Sequence, residues 1–231
     1  MQLPAALRTS LHAHIDGLRK AYADRGWGRR VGFGERPAIV VIDLALGWTE
    51  PDAPAGSELD SVVEATVTLL NAARGAGVPI YFTTGHVDRS EPRAPVVKKF
   101  DYPEDADLGH LFGLDPRLQH QDNEKVIAKP YDSALKGTHL PQMLALQGVD
   151  TLIVTGCSTS HCVYATCRDA VESFHLIVPR EAVGDRCELM HEVNLLDIDL
   201  ALGDVLPTTE VVAYLQSLDV PGTTTGHHRP R

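Results

Sequence analysis

A thiol in a turn of small residues and two charged side chains that close apolar runs are the groups in this sequence best placed to do chemistry. Cys162 ends the stretch Thr155, Gly156, Cys157, Ser158, Thr159, Ser160, His161, which reads as a turn opening a helix. A thiol in the first turn of a helix feels the positive end of the dipole, and its pKa is expected to fall toward neutrality. Backbone N–H groups of the same turn can also receive an oxyanion. Asp43 directly follows five apolar residues, where its carboxylate could take the thiol proton as a general base. Lys129 follows a third, weaker run and could stabilise charge and orient the pair. Each residue alone has a plainer reading. An isolated cysteine beside a sheet is usually a small buried hydrophobe, a lone Asp after a strand is usually a cap or turn residue, and a lone Lys is usually a solvated charge.

The elements that must position these groups are legible in the hydrophobic pattern. Residues 37–43 form a short β-branched run of the kind buried on both faces of a parallel sheet. The pattern recurs at 78–83, more weakly at 125–128, then at 151–155 and 175–179. Helical spacing is found at 59–76, 137–146, 160–173, 189–202 and 208–218, with Pro141 confined to a first turn. Strands alternating with helices predict right-handed crossovers and a doubly wound sheet covered on both faces. Ligands of such sheets bind beyond the carboxyl ends of the strands, where Asp43, Lys129 and Cys162 fall. An amphipathic helix over 4–23 precedes this domain, which gives a helical extension at 1–30, a main domain at 31–220 and a flexible tail at 221–231. The irregular segment 85–123 is long enough to form a lid or a subunit contact.

Composition narrows the class. With 31 acidic against 21 basic side chains among 231 residues, the formal charge of −10 argues against a nucleic-acid partner. Nothing approaches the ~18 apolar residues of a membrane span, so a soluble chain with no membrane partner is expected. The N-terminus lacks a basic region followed by an apolar run, and a chain of this length needs no disulfides, so a cytoplasmic protein with reduced thiols is expected. All four cysteines (Cys157, Cys162, Cys167, Cys187) crowd into one stretch, and with His161 and His175 they invite a zinc reading. Steps of five residues place successive thiols about 140° apart around a helix, and structural zinc sites space their cysteines by two to four. Neither a metal nor a phosphate-binding loop is expected, and no cofactor is implied.

Residues 155–170 (TGCSTSHCVYATCRDA) resemble the signature of the isochorismatase-like cysteine hydrolases. Two more of that family's motifs are matched in order, by residues 41–43 (VID) and by Lys129 with Ser133, Ala134, Leu135, Gly137 and Thr138. The resemblance spans 33–218 and implies a three-layer α/β/α fold with a mostly parallel sheet of Rossmann-like topology. It also implies a catalytic triad of Cys162 as nucleophile, Asp43 as general base and Lys129. The backbone N–H groups of Ser158 and Cys162 would form the oxyanion hole, positioned by a cis peptide between Cys157 and Ser158. A homo-oligomer, dimer or tetramer, is expected on the same grounds. Leu135 stands where the family more often has Phe, a departure that reshapes a pocket wall.

Within the family, metal-dependent nicotinamidases carry paired histidines shortly after the first strand, and residues 44–56 contain none. Members that cleave vinyl ethers lack the nucleophilic cysteine, so Cys162 favours amide hydrolysis through an acyl-enzyme. Residues 41–51 (VIDLALGWTEP) and 179–186 (PREAVGDR), followed by Asn194, Asp197, Asp199 and 203–205 (GDV), are similar to the N-carbamoylsarcosine and maleamate amidohydrolases. That similarity implies Arg186 as a clamp for a substrate carboxylate, with Trp48 and Thr159 also at the substrate. A structural pairing of Arg186 with Asp197 or Asp199 stays open. The expected reaction is hydrolysis of a linear amide or ureido bond in a small carboxylate. N-carbamoylsarcosine, giving sarcosine, ammonia and carbon dioxide, is preferred over maleamate, giving maleate. A non-catalytic binding protein and a thiol redox sensor are the readings from other classes.

Overall fold

The structure, a computed structural model, describes residues 1–87 and 99–218. Its centre is a seven-stranded sheet in the order β3-β2-β1-β4-β5-β7, with β6 paired to β4. The strands are β1 (Pro37–Ile42), β2 (Ile80–Gly85), β3 (Lys125–Lys129), β4 (Thr151–Cys157), β5 (His175–Pro179), β6 (Val183–Gly184) and β7 (Asp204–Leu206). Every pairing is parallel. The chain winds outward from β1 through β2 to β3, then returns to β4 and winds the other way. The strand order therefore reverses between β1 and β4, which opens a crevice at their carboxyl ends.

Each residue of β1 is buried, and alternate residues serve opposite layers. Ala38, Val40 and Ile42 join a core with Leu140 and Leu144 of α5 (Leu140–Leu146), Cys167 of α6 (Tyr164–Ala170) and Leu195 of α7 (Glu188–Ala201). Ile39 and Val41 join a second core with Val63, Leu69 and Leu70 of α3 (Asp60–Gly75) and Val211 and Leu215 of α8 (Thr208–Ser217). Helices on both faces explain why β1 carries no polar alternation. The N-terminal helix α1 (Ala5–Ala23) lies along α7, burying Ile15 and pairing Arg8 with Glu188 and, at 2.6 Å, Arg19 with Asp199. No helix among the described residues is long and apolar enough to cross a membrane.

Several expected boundaries move for local reasons. Strand β3 reaches Lys129, so the lysine belongs to the strand end rather than to the loop after it. Helix α5 starts at Leu140 because Gly137 adopts φ +69°, and Pro141 sits in its first turn as anticipated. The single helix expected over 160–173 is divided into a π-helical turn at Thr159–Val163 and α6. Segment 85–123 contains the short α4 (Leu108–Leu111) and a 3-10 turn at Pro116–Leu118, while a further short helix, α2 (Leu46–Thr49), follows β1. Residues 88–98 and the tail expected at 221–231 lie outside the described residues.

Candidate active site

Asp43 leaves β1 at φ +49°, a left-handed conformation that Asp accepts more readily than most residues. Across the crevice, Gly156 has φ +104°, and a Cβ there would lie 2.0 Å from the carbonyl oxygen of Ile42. Only glycine lets β4 come this close to β1, and the approach carries the Cys157 thiol to 3.3 Å from the Asp43 carbonyl, to which it donates. One carboxylate oxygen of Asp43 accepts from the Thr83 hydroxyl at 2.7 Å, and the other is 2.8 Å from Lys129 Nζ. The same ammonium donates to Cys162 Sγ and to the Tyr131 carbonyl, both at 3.2 Å. Its three protons thus have three partners. Asp43, Lys129 and Cys162 are 2%, 6% and 8% exposed, so this charge pair operates largely out of water.

Burial alone would lower the Lys129 ammonium, but Asp43 and Cys162 outweigh it and hold it above the usual lysine value. The Cys162 thiol is pushed up by burial and by the Asp43 carboxylate, with Lys129 opposing. This corrects the expectation of a dipole-lowered thiol. Helix α6 begins at Tyr164, beyond the thiol, and Cys162 sits in the π turn against a carboxylate. Burial and the Asp43 carboxylate thus favour the protonated thiol over the thiolate. Burial also raises Cys157 and Cys167, the latter to about 12, which leaves both inert.

The Cys157–Ser158 peptide is cis, as the resemblance implies. Within the turn that follows, the N–H groups of His161 and Val163 are spent on the Ser158 carbonyl, and that of Ser160 on Asp185. An oxyanion at Cys162 would have to use the remaining donors, Ser158 and Cys162 N–H among them.

The other expected site residues are placed differently. Thr159 is fully buried, and its hydroxyl donates to the Gly184 carbonyl at 3.0 Å and meets His191 Nδ1 at 2.8 Å. Its hydroxyl thus ties the turn to β6 and α7. Trp48 is half-buried and packs on the α3 and α8 core. Arg186 reaches His161 Nε2 at 3.4 Å. Neither proposed acidic partner holds it, since Asp199 pairs with Arg19 and Asp197 accepts from the Tyr164 hydroxyl. Its side chain lines a cavity of about 970 Å³ with Met1, Arg180, Cys187 and His191, and none of Asp43, Lys129 or Cys162 borders that cavity.

Sequence reasoning missed Thr83, which holds Asp43, and Tyr102. Burial, then Asp43, Cys157 and Cys162, raise the Tyr102 phenol to about 12. Thr83 lies in the predicted strand without standing out from it, and Tyr102 lies in a segment with no periodicity.

The family description "Isochorismatase domain" matches residues 37–210. The chain is 34% identical over 227 residues to an N-carbamoylsarcosine amidase from Arthrobacter sp, covering 94% of this chain and 85% of that one. It is 38% identical over 204 residues to a maleamate amidohydrolase from Pseudomonas putida, covering 83% and 92%. Its fold matches a cysteine hydrolase from Pseudomonas syringae pv. phaseolicola with a TM-score of 0.70, at 24% identity over 80% of this chain and 94% of that one.

Proposed function

This chain belongs to the isochorismatase family, and from that premise we propose that it is a cysteine amidohydrolase acting on a small amide that carries a carboxylate. The observation that carries the reading is the buried contact of Lys129 with both Asp43 and Cys162, at 2.8 and 3.2 Å. Asp43 takes the Cys162 proton as sulfur attacks the carbonyl carbon, and Lys129 keeps the carboxylate and the sulfur aligned. The oxyanion collects against the N–H groups of Ser158 and Cys162. Asp43 then returns the proton to the departing nitrogen, ammonia leaves, and a thioester remains on Cys162. Water, deprotonated by Asp43, releases the acid and restores the thiol. No step requires a metal or an organic cofactor.

N-carbamoylsarcosine is the preferred substrate, supported by the 34% identity that spans nearly the whole chain. Maleamate is the second reading, favoured by the 38% identity over a shorter length. Arg186, beside the Cys162 turn and without a carboxylate partner among the described residues, supplies positive charge for an acidic substrate. Exposed Leu7 and Tyr22 on α1 and Leu189 and Val193 on α7 support a homo-oligomer. Ammonia release from the two compounds, each at several concentrations, tests the substrate assignment. The higher kcat/KM identifies the substrate class, and no release from either removes the assignment.

A further inference from the structure

We propose that Thr83 is the positioning residue of the general base, its hydroxyl holding Asp43 Oδ1 so that Oδ2 is the oxygen that takes the Cys162 proton. The inference rests on the amidohydrolase reading and adds to it the group that sets which carboxylate oxygen works.

Thr83 lies in β2, between β1 and β3. Phe82 is in register with Val41 and Thr83 with Ile127, which brings this part of β2 beside the end of β1, where Asp43 follows. Side chains alternate along a strand, and the two threonines here divide accordingly. Thr84 donates to the Phe112 carbonyl at 2.6 Å, whereas Thr83 is fully buried against Asp43. Valine would fill the same strand position with a similar shape and no polar atom to satisfy. The buried hydroxyl is accounted for by what it bonds.

That hydroxyl meets Asp43 twice. It accepts from the Asp43 N–H at 3.2 Å and donates to Oδ1 at 2.7 Å, so its single proton is committed to one carboxylate oxygen. The first contact anchors the backbone at its left-handed φ of +49°. The second fixes the rotation of the carboxylate, a torsion that is otherwise broad for Asp. With Oδ1 held by β2, Oδ2 lies 2.8 Å from Lys129 Nζ, and the same ammonium donates to Cys162 Sγ at 3.2 Å. Oδ2 and the sulfur thus share one donor, which sets the base oxygen beside the proton it removes. In acylation the S–H bond breaks and an Oδ2–H bond forms. The sulfur pair enters the new S–C bond, and the carbonyl π pair moves onto the oxyanion. A carboxylate free to turn would present either oxygen, at a distance that no longer matches the thiol.

The test compares wild type with Thr83→Val, which removes the hydroxyl, and Thr83→Ser, which keeps it. For an acidic amide, kcat should fall by about ten- to a hundredfold in Thr83→Val with KM within about twofold of wild type, the pattern of a lost alignment rather than of lost binding. Thr83→Ser should recover most of kcat. A second measurement needs no turnover: iodoacetamide labelling of Cys162 at pH 7, followed by peptide mass. Without the donor at Oδ1 the carboxylate opposes a thiolate more strongly, so Thr83→Val should slow labelling several-fold. The same substitution made in Asp43→Ala should change labelling by less than about twofold, because the two residues act as one unit. A kcat in Thr83→Val within about twofold of wild type overturns the role given to Thr83. So does a Thr83→Ser variant as impaired as Thr83→Val, or an equal change in labelling with and without the Asp43 carboxylate. If wild type releases no ammonia from either amide, the amidohydrolase reading fails separately, and the labelling comparison still decides whether Thr83 acts through Asp43.

Discussion

Replacing Asp43 by Asn should move hydrolysis and thiol reactivity in opposite directions. Asn accepts the left-handed φ of +49° as Asp does, and its side-chain oxygen can keep the Thr83 hydroxyl at the present 2.7 Å. What disappears is a negative charge and a base. Burial and that charge hold the proton on Cys162, and Lys129 works against both. Across 3.2 Å, at an effective dielectric constant of about 20, an ammonium attracts a thiolate by roughly 5 kcal/mol. In wild type the Asp43 carboxylate repels the same thiolate and works against that attraction. In Asp43→Asn it stands alone against burial, so the thiolate fraction at pH 7 should rise and iodoacetamide should label Cys162 about tenfold faster. Loss of the general base should lower kcat for amide hydrolysis by about 10² to 10⁴. Stopped labelling followed by peptide mass, run beside an ammonia assay, reads both quantities on one preparation. If labelling slows together with hydrolysis, Asp43 does not keep the proton on sulfur and the electrostatic account of the site is wrong.

Other substitutions separate the scaffold from the chemistry. Gly156→Ala should cost more than about 3 kcal/mol or prevent folding, because its Cβ meets the Ile42 carbonyl at 2.0 Å and φ is +104°; chemical denaturation measures this, and near-native stability would contradict the close approach of β1 and β4. Thr159→Val leaves the Gly184 and His191 groups without their partner and should destabilise the fold by about 1–3 kcal/mol while leaving KM unchanged; a raised KM at normal stability would return Thr159 to the substrate. Arg186→Ala should raise KM for an acidic amide several-fold at constant kcat, whereas equal kinetics would leave Arg186 outside recognition.

The sequence disclosed most of what is repetitive or local. A short, β-branched apolar run that alternates with helical patterns fits a strand covered on both faces, so β1 and the layer order were legible from residues 37–42 and their neighbours. Asp43 and Cys162 were legible because each closes or follows such a strand, and Lys129 because the β3 run points at it. The electrostatics of Cys162 were misread. The dipole argument used only neighbours in sequence, while the deciding charge, Asp43, arrives from another strand. The hydroxyl partners of Thr159 were not legible for the same reason, since they belong to β6 and α7. Strands of two and three residues, such as β6 and β7, hold too few alternations to show a period. Tyr102 is set by a stack of rings on Gly85, a contact with no signature along the chain.

The central claim is that Cys162 carries the acyl group, and mass spectrometry of protein quenched during turnover tests it most directly. With N-carbamoylsarcosine or maleamate, the peptide containing Cys162 should carry the mass of the acyl group, and Cys162→Ala should show neither the adduct nor ammonia release. Ammonia released by Cys162→Ala at the wild-type rate, with no adduct on the wild-type peptide, would contradict the account.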